Sequence, residues 1–222
     1  MKYEIPHMDT KKPLLRGWSH FLAAIIAFFL FLILIAKTES HLNIFFPVLI
    51  YGIISIILYS FSALYHLGKW SKKIGIVLER IDHINIFLMI AGTYTVIVGS
   101  VMSGVWLFVL LGFVWSLSIL AVAVDSFIFQ LPRRILSLVY VIIGSIAVIA
   151  LPEFWHIFGP FWFFVILIAG SFYLLGALFY AFRIPKLWPK IFGYHEAFHL
   201  CTIISAAFFY ILIFYRIIPH GK

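Results

Sequence analysis

The chain is 222 residues long, 64% hydrophobic and only 11% charged, with a mean hydropathy of +1.13; soluble domains carry about 25% charged residues, so a water-soluble globule is excluded. The single cysteine, Cys201, excludes an internal disulfide and gives redox chemistry no support. The net charge of +8 would suit a nucleic-acid partner, but the placement of the basic residues along the chain assigns it to membrane topology and lipid headgroups instead.

Windows of about 20 apolar residues mark membrane-crossing helices. Seven follow one another, at residues 18–36, 44–67, 82–100, 104–129, 135–152, 159–182 and 195–215. The alternating segments of about ten residues that build a membrane barrel are absent. The predicted fold is an all-α integral membrane protein, a single seven-helix bundle over residues 1–222 with no linker, repeat or low-complexity segment. The first run, from Trp18, is too long for a signal-peptide core and no small-residue cleavage site follows it, so it is expected to be retained as a span.

With the N-terminus and every second loop on one side, that side holds Lys2, Lys11, Lys12, Arg16, Lys69, Lys72, Lys73, Arg80, Arg133, Arg134, Arg183, Lys186 and Lys190, against Lys37, Arg216 and Lys222 on the other. Cytoplasmic loops are the ones enriched in Lys and Arg. The expected topology therefore has the N-terminus in the cytoplasm and the C-terminus outside, in a plasma or bacterial inner membrane.

Ionisable residues inside spans are costly and default to function. In chain order, FSALYH (61–66) closes the second span with Ser62 and His66, Asp82 opens the third, and GYHEAFHLCT (193–202) brings His195 and His199 to the start of the seventh. All of these ends lie on the cytoplasmic side of the expected topology. Residues four apart share a helix face, so His195 and His199 form a two-toothed ligand, and Ser62 and His66 have the same spacing. Three neutral imidazoles with a fourth position open are a catalytic zinc arrangement, and Asp82 could hydrogen-bond the water on such a zinc or take its proton. A lone histidine near a span end is more simply an interfacial hydrogen-bonder, which suffices for His41 and His156 but does not account for convergence from three helices.

HEAFH also matches the HExxH pattern, in which the glutamate is the base of a zinc metalloprotease. Glu196 lies about 60° around the helix from His199, so an intramembrane metalloprotease is a rival, as is a bland reading of Glu196 as a solvated acid near Lys190. The site-2 protease pattern, a later aspartate in an Asn/Pro-containing helix, is missing.

FSALYH, ERIDHINIFLMIAGTYT (79–95) and GYHEAFHLCT, with RGWSHFLAA at the first span, resemble the hemolysin III branch of the progestin and adipoQ receptor family over nearly the whole chain. The resemblance implies a zinc ion held by His66, His195 and His199, with Asp82 on the zinc water and Ser62 as a second polar group lining the site. The wider superfamily includes alkaline ceramidases, in which the same set supports hydrolysis of lipid amides. Other family members often carry a different residue at the Glu196 position, which weakens the protease reading. His20 matches a histidine common in the family's first span; it, His83 and Glu196 are candidates for supporting the ligands from behind, His83 being equally readable as interfacial.

The expected function is zinc-dependent hydrolysis of a membrane lipid amide, with membrane lipids as environment and substrate and no nucleic-acid partner. The alternative class is a receptor or regulator of membrane lipid homeostasis with a structural zinc. Pore formation would need a continuous polar stripe on a span, and transport would need polar groups through both leaflets. The outer half is nearly bare of them, since Asp125, the other acid within a span, also lies toward the cytoplasmic end.

Overall fold

The computed structural model describes residues 13–38, 41–128, 131–188 and 190–220. Lys2, Lys11, Lys12 and Lys222, and the last residue of the predicted span 104–129, lie outside them. The described residues are helical: α1 Trp18–Thr38, α2 Leu42–Leu67, α3 Lys72–Val101, α4 Gly104–Ala123, α5 Arg133–Gly144, α6 Leu151–Phe182 and α7 Tyr194–Leu212. A π-helical turn, Val124–Ile128, continues α4, a 3₁₀ stretch, Ser145–Ala150, joins α5 to α6, and a second π-turn, Ile213–Ile217, extends α7.

Six helical runs are long and apolar enough to cross a membrane, and one of them, Arg133–Phe182, is 50 residues long. At about 1.5 Å per residue it would measure roughly 75 Å if straight, more than twice the roughly 30 Å hydrocarbon core. It is not straight. Gly159 sits at φ 72°, ψ 171° within it, a backbone region that glycine enters without penalty, and Pro160 follows with no N–H to offer the preceding turn. The Arg134 guanidinium lies 5.9 Å above the Phe182 ring and that of Arg133 5.6 Å above Tyr180, so the two ends of the run lie side by side.

An apolar core runs through the bundle, and the surface is apolar as well. Large apolar side chains such as Phe28, Phe29, Phe108 and Phe161 are exposed, whereas Ser62, His66, Asn85, Asp125, His195, Glu196 and His199 are buried. With hydrocarbon as solvent there is no reason to hide apolar surface, and every reason to gather polar groups among the helices. α3 is the most buried span; it packs against α2 and α4, α1 packs on α2, and α6 on α7.

Two boundaries depart from hydropathy. α3 begins at Lys72, ten residues before the predicted 82, because Lys, Glu, Arg and Leu are good helix formers even where they are too polar for a span. Asp82 therefore stands nearly three turns inside its helix. Residues 153–158, expected between two spans, are helical.

Candidate metal centre

The last turn of α2 and the first two turns of α7 meet at one end of the bundle. His66, His195 and His199 are all buried there, and one nitrogen from each lies within 4.8 Å of the others, a set that could hold a metal ion. His66 Nε2 and His195 Nε2 are 3.0 Å apart. Two nitrogens bound tetrahedrally at about 2.0–2.1 Å from one ion are separated by about 3.3 Å, so little movement would seat one. His199 Nδ1 is buried with no hydrogen-bond partner among the described residues, a costly arrangement unless something binds that nitrogen. Asp82 Oδ2 lies 3.7 Å from His66 Nε2, and Ser62 is buried next to that carboxyl. The predicted ligands, Asp82 and Ser62 thus come together.

The polypeptide before α1 completes this end. Leu14 and Leu15 donate backbone hydrogen bonds to Lys190 and Ile191 oxygens ahead of α7, which carries Arg16 to Glu196. The Glu196 carboxylate accepts from Arg16 Nε through one oxygen and from the Gly193 N–H, at 2.7 Å, through the other. Glu196 is buried rather than solvated, its charge neutralised and its helix start capped. Both oxygens are thus engaged, one in an ion pair and one in a helix cap. Gly17, at φ +85°, lets the backbone run against the histidines, since a Cβ there would lie 2.8 Å from His66 Cβ.

His20, on α1, stacks face to face on His199, ring centres 3.7 Å and planes 7° apart. Its Nε2 is 3.4 Å from Thr202 Oγ1, whose hydroxyl donates to the His199 carbonyl. His20 therefore buttresses one of the three imidazoles.

A sequence model of the haemolysin-III related family matches residues 8–210. The chain belongs to that family. It is similar to the Hemolysin-3 homolog of Bacillus subtilis (strain 168), 31% identical over 167 residues that cover 75% of each chain. It is also similar to Hemolysin-3 of Bacillus cereus, 26% identical over 212 residues that cover 95% of this chain and 94% of the relative. Together with its apolar helices, this makes it a multi-pass integral membrane protein.

In this haemolysin-III related protein, His83 borders the small cavity beside His66 and His195 and also meets a second polar group. Its Nδ1 lies 4.0 Å from Asp125 Oδ2 and its Nε2 3.4 Å from the Tyr180 hydroxyl, while Asp125 Oδ1 accepts from the Leu131 N–H at 3.0 Å. The Tyr180 ring packs edge-on against His195, and Tyr180, Arg16, Glu79 and Asp82 line a small cavity beside His66 and His195. Sequence reasoning missed Arg16 and Tyr180 as site residues. Their only signals were a basic residue just ahead of a span and an aromatic residue near a span end, both of which topology and interfacial anchoring already explain.

Proposed function

We propose that this protein is a zinc-dependent hydrolase of a membrane lipid amide, with its site near the cytoplasmic face of a seven-pass bundle whose N-terminus is cytoplasmic. The topology is supported by the folding back of the 50-residue run around Gly159, which divides it into two lengths, and by the concentration of Lys and Arg on the side of the histidines. The observation that carries the chemistry is the convergence of three buried imidazoles with a carboxylate 3.7 Å away. Three histidines with an open position are the donor set of a catalytic zinc.

When bound by His66, His195 and His199, zinc supplies Lewis acidity and an activated water at neutral pH. Asp82 would orient the attacking water and take its proton. Ser62 would donate a hydrogen bond to the negative charge developing on the carbonyl oxygen. As the C–N bond breaks, Asp82 would return the proton to the leaving amine, giving a free fatty acid and an amine. The depth of the site, at a span end, suits a linkage close to the lipid headgroup.

The test is release of fatty acid from a fluorescent ceramide by the detergent-purified protein. The wild type should turn over, and Asp82→Ala should lose about 10²–10⁴-fold while keeping its zinc. Full activity in Asp82→Ala, or no release by the wild type across a panel of lipid amides, would sink the reading. The same variant separates a second reading, a lipid-sensing receptor or regulator with structural zinc. A carboxylate 3.7 Å from His66 could be a fourth protein ligand closing the site, and Asp82→Ala would then lose the metal.

A further inference from the structure

At the end of the bundle opposite the histidines lies a cavity of about 240 Å³ that the proposed chemistry does not use. Asp82 and Val101 lie toward opposite ends of α3, about 30 Å apart at a rise of about 1.5 Å per residue, which is the thickness of the hydrocarbon core. Val101 lines this cavity with Ser103 and Trp106 at the start of α4, Glu153 and Ile157 on α6, and Arg216 on the π-turn after α7. Ser103, Glu153 and Arg216 give it polar walls.

Glu153 and Arg216 are both half-buried, both face this one space, and form no ion pair with each other. One Arg216 nitrogen donates to the Ile157 carbonyl at 2.6 Å and the guanidinium lies 5.9 Å above the Phe158 ring. The group is thus fixed in place with further N–H donors to spare, since a guanidinium carries five. π-turns within helices recur at functional sites. Glu153 has neither ion pair nor hydrogen bond among the described residues. Opposite charges held apart across a shared cavity fit a ligand that carries both charges itself. A free anion would meet Glu153, and a free cation Arg216.

We propose that this cavity binds the headgroup of an ethanolamine phospholipid. The phosphate lies on Arg216, and the ammonium on Glu153 beside the face of Trp106. The primary ammonium is chosen over choline because Glu153 can accept its N–H donors, whereas a quaternary ammonium is recognised by a cage of several rings and one indole is present. The acyl chains run along the outer face of α4, where Val105 and Phe108 are exposed. This site stands independently of the zinc reading.

Native mass spectrometry of the delipidated full-length protein, offered equal amounts of phosphatidylethanolamine, phosphatidylcholine and phosphatidylglycerol in mixed micelles, tests it. Phosphatidylethanolamine should be retained at least about tenfold over the others, a preference worth one charge-assisted contact, and Glu153→Gln and Arg216→Gln should each abolish the preference. Glu153→Gln removes no internal contact, so unchanged melting checks that it is folded. Equal retention of the three lipids, or an unchanged preference in Glu153→Gln, overturns the proposal. Displacement of the lipid by an equal concentration of free phosphoethanolamine overturns the lipid assignment in favour of a soluble zwitterion.

Discussion

The two ends of the bundle treat charge in opposite ways. At the histidine end, Glu196 is matched by Arg16 and Gly193, and Asp125 by the Leu131 N–H and His83. At the other end, Glu153 and Arg216 share a cavity without pairing. Each end has a π-turn carrying one charged residue, Asp125 in one and Arg216 in the other. Other charges deep in the bundle are matched one to one by protein groups, whereas the three imidazoles and Asp82 gather on one another as the site. Where charges at a rim face shared space, the partner comes from outside.

The largest effect that would break this contrast is on the matched side. Arg16→Ala would strand a carboxylate that is 2% exposed, and breaking a buried pair by removing one partner costs about 3–5 kcal/mol. Thermal unfolding in detergent should show a marked loss, accompanied by a weaker site. A variant as stable as wild type would mean that the pair is incidental.

That interaction also marks the limit of what the sequence reveals. Spans are legible because hydrocarbon as solvent imposes composition on every helix it touches, and the convergence of His66, Asp82, His195 and His199 follows once span ends are assigned to sides. The stretch RGWSH reads only as a weak resemblance, yet Arg16 holds Glu196, Gly17 makes room for His66, and His20 stacks on His199. Such roles belong to tertiary neighbours 49 or more positions away, and no periodicity carries them. HEAFH carries a related lesson: its letters fit a protease pattern, and the capping role of Glu196 shows only in the positions of Arg16 and Gly193.

A smaller effect sharpens the account within the histidine end. Outer groups that orient metal ligands are worth about 10–100-fold in metal affinity. His20→Ala should weaken zinc binding by that much in a chelator competition, and His20→Phe, which keeps a flat ring on His199, should recover most of it. Equal affinity in all three proteins would reduce His20 to packing.

The smallest effect lies at the opposite end. Glu153→Gln should change stability by no more than about 0.5 kcal/mol, as expected where no specific contact is lost. The same Glu→Gln change at Glu196 should be plainly destabilising, because it removes the charge facing Arg16. Equal melting shifts for the two would erase the distinction between the ends.

The central claim, that three histidines from α2 and α7 hold a metal, is tested most directly by elemental analysis of the detergent-purified protein, wild type against His195→Ala. The account predicts about one zinc per chain in the wild type, as three converging imidazoles imply, and its loss in the variant. No metal in either protein, or equal metal in both, would contradict it.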